Sequence, residues 1–203
     1  MRNTVVEGVL FVLISVILIA YALPMKTAGE IYDGVIRLHV IADSDSDDDQ
    51  AVKLNVRDAI LEFARNNFGS VSNVTEAKRL FLLEGDALKS VADGVLEEKG
   101  FDDKAEVELC TEYYPMRIYE GVSLPAGEYI SLKVIIGSGK GKNWWCVLFP
   151  PLCLNSARAT EALCGVGISE ETAKMLTSGR NRYKIKFWIV DKLGELCERK
   201  KCK

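Results

Sequence analysis

Alternation of apolar and polar side chains marks several segments of the chain as β-strands. In residues 35–42 every second position is apolar, and Arg37 and His39 share the other, more polar face. We therefore expect His39 to be a partly exposed strand histidine. The same alternation predicts further strands at residues 104–111 and 183–190. Residues 125–137 are predicted to form a turn and a long strand, and residues 144–149 are predicted to be its partner strand.

Apolar residues at helical spacing predict two long helices and one short helix. The first long helix covers residues 47–66 and the second covers residues 74–99. Gly85 and Gly94 weaken the second helix and favour a break within it. The short helix is predicted at residues 169–177.

The order of these elements indicates an α+β fold. Strands outnumber helices, and the two do not alternate strictly along the chain. We expect a single domain over residues 35–190, with a mainly antiparallel sheet and two long helices on one face. Residues 23–34 are predicted to be a linker, and residues 191–203 are predicted to be a basic C-terminal tail.

A glycine- and lysine-rich segment, GSGKGKN, occupies residues 137–143. It lacks the spacing of a phosphate-binding Walker loop, and a strand rather than a helix is predicted to follow it. We therefore expect a hairpin loop that joins the strand at residues 125–137 to the strand at residues 144–149.

The amino-terminal segment has the features of an export signal. Residues 8–22 are almost entirely apolar and follow a positive charge at Arg2. Ala20 and Ala22 fit the small-x-small pattern of a signal-peptidase site. Residues 1–22 are therefore predicted to be a signal peptide or, without cleavage, a membrane anchor, and the rest of the chain is expected to be exported.

Composition and charge narrow the classes of function. The single histidine in 203 residues, His39, excludes a histidine-rich zinc site and a multi-histidine relay. The net charge of the chain is −3, and this overall charge does not indicate a nucleic-acid-binding protein. Residues 23–137 are acidic in balance and residues 138–203 are basic, and this basic end favours an anionic membrane surface.

Six cysteines, an even number in a chain expected to be exported, raise the question of disulfide bonding. None forms a CxxC pair, so a zinc ribbon or a thioredoxin-type motif is not supported. Cys146 and Cys153 are the best local pair, because Pro150 and Pro151 turn the chain between them. This pair is the candidate for a disulfide, and two buried free thiols are the alternative, which stays open.

The most acidic segment of the chain is residues 43–49. An EF-hand calcium loop is excluded, because Asp48 stands where that motif needs glycine and Leu54 where it needs glutamate. Aspartate and serine at the start of the first long helix instead cap free N–H groups and complement the helix dipole. Asp43 and Asp45 are also candidate contacts with a protein partner, and no metal is expected.

The most distinctive segment contains two adjacent tryptophans and two adjacent prolines. Tryptophan is enriched at the energetic centres of protein interfaces, and prolines make rigid turns. The candidate partner-binding residues are Trp144, Trp145, Phe149, Pro150 and Pro151. Because neighbouring side chains of a strand point to opposite faces, core packing of at least one tryptophan is the alternative.

Three stretches of sequence are distinctive in combination. They are IRLHVIADSDSDDDQAVKLNVRDAI from Ile36, PAGEY from Pro125 and NWWCVLFPPLC from Asn143. Together they resemble the stage II sporulation protein R family of endospore-forming bacteria, over residues 35–153. The chain has Asp43 where that family is expected to have asparagine, and Leu154 where an aromatic residue is expected.

This resemblance implies a signalling protein rather than a catalyst. Such proteins are made in the forespore and exported into the space between the two septal membranes. There they activate a membrane-embedded aspartic protease of the mother cell, which removes the pro-sequence of the sigma-E precursor. The resemblance implies no cofactor and no catalytic residue.

Two other functions stay open from the residues alone. An exported cell-wall hydrolase would use a pair of carboxylates, for which the candidates are Asp43, Asp45, Glu112 and Glu128. No sequence spacing ties these four into one pocket. The remaining hypothesis is a passive structural protein of the septum.

Overall fold

The fold consists of a four-stranded sheet, a separate two-stranded hairpin, and helices on both faces of the sheet. The structure, a computed structural model, describes residues 11–15, 26–119, 121–152 and 159–178. The strands are β1 (Ile36–Ile41), β2 (Ala105–Tyr114), β3 (Arg117–Tyr119), β4 (Val122–Leu124), β5 (Gly127–Ile136) and β6 (Asn143–Phe149). The helices are α1 (Lys26–Gly34), α2 (Asp47–Phe68), α3 (Val74–Leu83), α4 (Gly85–Glu98), α5 (Ala159–Gly165) and α6 (Glu170–Thr177).

Strand β1 lies inside the sheet, whose order is β2–β5–β1–β6. It pairs in parallel with β5 and antiparallel with β6, while β2 pairs antiparallel with β5. The prediction of a mainly antiparallel sheet in an α+β fold is therefore confirmed. All six residues of β1 are buried, as expected for a strand that is covered on both faces.

The predicted hairpin between β5 and β6 is wrong, because β1 lies between these two strands. Residues 137–142 instead carry the chain across the carboxyl end of β1. Lys140 and Gly141 donate N–H hydrogen bonds of 3.0 and 2.9 Å to carbonyls of the two residues that follow β1. A short loop between two strands favours a hairpin, but here the loop crosses the end of β1, which is buried on both faces.

One face of the sheet packs against the long helix α2 and against a divided helix. Leu38 of β1, Ile60 of α2 and Leu88 of α4 are buried together there. The second long helix of the prediction is in fact two helices, α3 and α4, which meet at Glu84. Gly85 follows directly, and its low helix propensity explains why the break falls at this point.

Short helices also cover part of the opposite face, which the sequence pattern did not indicate. Ile31 of α1 and Leu163 of α5 are buried with Tyr129 and Val147 of the sheet. Most of the predicted linker at residues 23–34 is therefore a helix docked on the sheet. Its sequence has too few apolar residues for a periodic signal, yet Ile31 is only 3% exposed.

The start of α2 confirms the predicted capping by the acidic segment. Ser46 is the N-cap residue, and its hydroxyl accepts a hydrogen bond of 3.1 Å from the Asp49 N–H. Asp47, Asp48 and Asp49 form the first turn, where negative charge complements the positive end of the helix dipole. The helix then continues to Phe68, slightly beyond the predicted end.

Several predictions from the sequence lie outside the described residues. They are most of the signal or anchor segment, the strand at residues 183–190, the basic tail at residues 191–203, and Cys153. Each stays a prediction. Within the described residues, no helix combines the length and the apolar character that crossing a bilayer requires.

Alanine at Gly137 is expected to destabilise the fold more than alanine at Gly100. Both glycines have a positive φ, 56° and 79°, which costs other residues about 1 kcal/mol. A Cβ atom at Gly137 would also lie 2.5 Å from Oδ1 of Asp43, whereas at Gly100 it meets nothing within 4 Å. Urea unfolding of both variants measures the difference. Equal losses of unfolding free energy would contradict the close approach at Gly137.

Candidate functional site

Arg37 and His39 lie on the face of β1 that points away from α2, as the alternation predicts. Both side chains are nevertheless buried, with exposures of 0% for Arg37 and 9% for His39. The expected partly exposed histidine is therefore wrong. Tyr114 of β2 and Trp145 of β6 pack beside His39 and help to close this face. Arg37 and His39 therefore lie inside the protein and, with the polar side chains that contact them, form an internal polar cluster.

The Arg37 guanidinium is enclosed by three tyrosine rings. The distances from its Cζ atom to the ring centres are 4.2 Å for Tyr114, 4.9 Å for Tyr129 and 5.4 Å for Tyr119. These distances are typical of cation–π contacts. Nε donates to the Cys146 carbonyl over 3.1 Å, and Nη2 donates to the Tyr119 hydroxyl over 2.5 Å. Nη1 has no hydrogen-bond partner among the described residues.

The rings around Arg37 do not neutralise its charge. Burial raises the pKa values of Tyr114 and Tyr129 far above neutrality, so both hydroxyls keep their protons. Tyr114 shares a hydrogen bond of 2.7 Å with Ser131. The Tyr129 hydroxyl donates to the Pro125 carbonyl over 2.7 Å. Arg37 therefore places a positive charge inside this face, and its contacts among the described residues are aromatic rings and neutral acceptors.

His39 is held between Glu112 and Asn143. Its Nδ1 lies 3.2 Å from both carboxylate oxygens of Glu112, and its Nε2 lies 2.9 Å from Oδ1 of Asn143. Lys133 adds an ion pair with the same carboxylate at 3.5 Å. Burial opposes ionisation of Glu112, but hydrogen bonds from His39 and Ser131 outweigh it and hold the pKa below the usual range. Glu112 is therefore ionised at neutral pH.

The polar cluster contains no activated nucleophile among the described residues. Cys110 lies on the same face of β2 as Glu112, and burial raises the pKa of its thiol to about 11. The thiol is therefore protonated at neutral pH, and the thiolate is the reactive form. The hydroxyl of Ser131 is already engaged by Tyr114.

The four carboxylates considered for a hydrolase lie in separate places. Glu112 is in the polar cluster, whereas Glu128 is exposed and points to the opposite face of the sheet. Asp43 and Asp45 follow the carboxyl end of β1, away from both. In the part of the chain that the structure describes, no three His, Cys, Asp or Glu side chains are grouped as metal ligands.

Asp43 and Asp45 hold the loop at residues 137–142. The Ser138 N–H donates to Oδ1 of Asp43 over 2.5 Å. The Lys142 N–H donates to Oδ1 of Asp45 over 2.7 Å. The hydrogen bond from the Ser138 backbone is the main reason why the pKa of Asp43 is lowered. Both aspartates thus have a structural role, and their role as partner contacts stays a prediction.

Lys53 on α2, which is buried, connects the helix to the same loop. Its Nζ donates to the Lys142 carbonyl over 2.9 Å and to Oε1 of Gln50 over 2.5 Å. Gln50 in turn donates to the Ser44 carbonyl over 2.8 Å. Burial lowers the pKa of Lys53. The acidic segment, the start of α2 and the loop therefore form one hydrogen-bonded network.

The two tryptophans line one cavity of about 450 Å³ beside β6. Trp144 is 37% exposed, and the Cζ atom of Arg57 lies 4.5 Å from its ring centre. Trp145 is half-buried between His39 and Arg117, whose Cζ atom lies 4.3 Å from the Trp145 ring centre. This tryptophan cavity is lined by Arg117, Tyr119, Asn143, Trp144, Trp145, Cys146 and Leu152.

The other distinctive residues line a separate, largely apolar groove. Phe149, Pro150 and Pro151 form one wall of it, and Leu61 and Val166 lie among the other lining residues. The groove has a volume of about 300 Å³, and the Phe149–Pro150 peptide bond is cis. The structure therefore brings the tryptophans together and the prolines together, but in two different places. Partner binding by any of these residues stays a prediction.

The cysteines of the described residues differ in state. Cys146 is disulfide-bonded, whereas Cys110 and Cys164 are free. Because Cys153 lies outside the described residues, its predicted pairing with Cys146 stays a prediction.

Sequence reasoning missed the polar side chains that organise these sites. Arg37 carried a weak signal, because it is a basic residue within an otherwise apolar strand. Lys53 and Arg117 carried none, since isolated basic residues are ordinary surface residues in most sequences. The tyrosines that surround Arg37 come from three different strands, and no local pattern connects them.

Replacing Glu112 with glutamine is expected to reduce stability at neutral pH by about 1–3 kcal/mol, since a charged hydrogen-bond acceptor is lost. The pKa of Glu112 is lower in the folded chain than in the unfolded chain. Its stabilisation is therefore present above the ordinary glutamate pKa of about 4.3 and is lost as the pH falls through the folded value.

Urea unfolding of the Glu112→Gln variant at a series of pH values checks this prediction. Glu106→Gln is the matched control, because Glu106 lies on the same face of β2 but is exposed. A stability difference between Glu112→Gln and the unaltered chain that stays constant with pH would contradict the assignment of Glu112 as an ionised partner of His39.

Comparison with known proteins gives matches to one family. The family described as Stage II sporulation protein R (spore_II_R) matches residues 32–159. Among curated proteins, Stage II sporulation protein R of Bacillus subtilis (strain 168) is 36% identical over 121 residues. The match covers 60% of this chain and 54% of that protein, so the chain spans about half of the relative's length. No solved structure gives a significant match.

The family match takes in β1 with its polar cluster, the capped start of α2, and both tryptophans. It therefore includes the three stretches of sequence on which the resemblance was based. The chain belongs to the stage II sporulation protein R family.

Proposed function

We propose that this chain is an exported intercellular signal of endospore formation. Family membership, the single observation that carries the proposal, gives the chain a role in sporulation. In this proposal the chain is made in the forespore and exported into the space between the two septal membranes. There it activates the membrane-embedded aspartic protease of the mother cell that processes the sigma-E precursor.

The geometry of the described residues supports action by binding rather than by catalysis. Glu112 and His39 are engaged with each other, and Cys110 is kept protonated by burial. Trp144 and Trp145, in contrast, line an open cavity. Tryptophan side chains often dominate the binding energy of protein interfaces, because they bury a large rigid surface.

Two features of the sequence support the proposed location. Residues 8–22 form an apolar segment of the length found in export signals. The basic balance of residues 138–203 favours contact with an anionic membrane surface, which would keep an exported signal close to a membrane-embedded protease.

No observation favours the hydrolase alternative. A glycosidase-type mechanism needs two carboxylates on either side of one substrate bond. Glu112 is engaged by His39, and the exposed Glu128 points to the opposite face of the sheet. Asp43 and Asp45 accept hydrogen bonds from the backbone of the loop.

Deleting the gene in the organism that makes this chain is expected to abolish processing of the sigma-E precursor. Immunoblotting of the precursor and of the mature factor measures the effect. A copy of the full chain expressed in the forespore should restore processing, whereas a copy without residues 2–22 should not, because it lacks the export segment. Normal processing in the deletion strain would refute the signalling role.

Alanine at Trp144 is expected to reduce sigma-E processing by about tenfold or more, as is typical of an interface hot spot. Leu83→Ala is the matched control, because Leu83 is an exposed apolar residue on α3, distant in sequence from β6. Immunoblotting of both variants must show equal exported amounts. Normal processing with Trp144→Ala would reject Trp144 as a contact and leave the sporulation role of the family in place.

A further inference from the structure

The tryptophan cavity contains a positive charge that no described carboxylate neutralises. Arg117 lines the cavity with its guanidinium over the ring of Trp145. Its Nε atom is buried and has no hydrogen-bond partner among the described residues. A buried donor without an acceptor is unfavourable. Because the guanidinium also has no carboxylate partner among the described residues, its positive charge favours an incoming anionic group.

A second cation lies directly behind the wall of this cavity. Arg37 donates to the Tyr119 hydroxyl and to the Cys146 carbonyl, and both residues line the cavity. Arg37 is fully buried and always charged, and one of its nitrogens has no partner among the described residues. Among the described residues no ion pair joins Arg37 to Glu112, whose carboxylate instead contacts His39 and Lys133.

The hydroxyl of Tyr119 is a further donor at this wall. Its oxygen accepts from Arg37, so its own hydrogen is available to an acceptor in the cavity. Burial raises the pKa of Tyr119, which keeps the hydroxyl protonated. Arg117, Tyr119 and Asn143 thus supply hydrogen-bonding groups to a cavity that both tryptophans also line.

We infer that the tryptophan cavity binds a carboxylate from an acidic segment of a protein partner, with Arg117 as its main contact. A guanidinium offers parallel N–H groups that match the two oxygens of a carboxylate. Trp144 and Trp145 then pack against apolar atoms beside that carboxylate. The inference deepens the proposed function, on which it rests, by giving the chemistry of the segment that the signal recognises.

The distribution of charged side chains at the cavity favours a peptide as the ligand over a membrane or a nucleic acid. Bilayers and nucleic acids are bound by several basic side chains spread over a surface. Among the described residues that line the tryptophan cavity, Arg117 supplies the guanidinium, and aromatic rings lie around it. Arginine together with tryptophan and tyrosine is the composition enriched at protein interfaces.

Fluorescence anisotropy with the full chain in detergent micelles tests this inference. The probe is a fluorescein-labelled peptide that alternates Glu and Leu, and the control peptide has Gln in place of Glu. We expect saturable binding of the Glu peptide and binding of the Gln peptide that is weaker by about tenfold or more, because the charged acceptor is lost. Added salt should weaken binding of the Glu peptide.

Variants then assign the binding to the cavity. Arg117→Gln is expected to weaken binding of the Glu peptide about tenfold, and Arg117→Lys should give an intermediate affinity. Arg79→Gln, which removes an exposed arginine on α3, should leave the affinity unchanged. In NMR spectra, the indole N–H signals of Trp144 and Trp145 should shift with the Glu peptide.

Several results would overturn the inference. The inference is wrong if the chain binds both peptides with equal affinity, or if Arg117→Gln and Arg79→Gln lose the same affinity for the Glu peptide. It is also wrong if the indole signals do not shift, or if Arg117 is needed for binding phosphatidylglycerol vesicles while neither peptide binds. If thermal unfolding shows that the Arg117→Gln variant is not folded, the Arg117→Lys variant and the comparison of the two peptides still test the inference. If the chain supports sigma-E processing but does not bind the Glu peptide, this inference is refuted and the signalling role is not. Normal processing in the deletion strain refutes the signalling role instead.

Discussion

Burial of both faces of β1 is the constraint on which the rest of the structure depends. One face is apolar and packs against α2 and α4. The other carries Arg37 and His39, whose polar groups lose water on burial and need new partners. Those partners come from β2, β3, β5 and β6, so two side chains of one strand determine what its neighbours must supply.

Features set by neighbouring residues were predictable from the sequence. The strands β1 and β2 follow from alternation, and the cap at Ser46 follows from the chemistry of short polar side chains. The order of the strands was not predictable in this way. The loop at residues 137–142 is short enough for a hairpin, and only the burial of the complete sheet places β1 between β5 and β6.

The candidate site also contains residues that could be identified from the sequence and residues that could not. Trp144 and Trp145 were identifiable because residue type alone suggests an interface. Arg117 was not, since its contact with Trp145 exists only after β3 has been placed beside β6. The alternation predicts the correct face of β1 for His39 but not its burial. Its burial depends on packing by residues that are distant in sequence, such as Trp145.

The central position of β1 has a consequence for the way the chain folds. Ile36 pairs with Ile130 on one side and with Phe149 on the other, so both partners of the first strand are made long after it. Contacts between such distant residues form slowly, because a long loop must close first. During synthesis from the amino end, β1 therefore emerges with both edges unpaired. Its native pairing is completed only after β6, which ends at Phe149, has been made, so this strand waits for its partners through most of the synthesis of the domain.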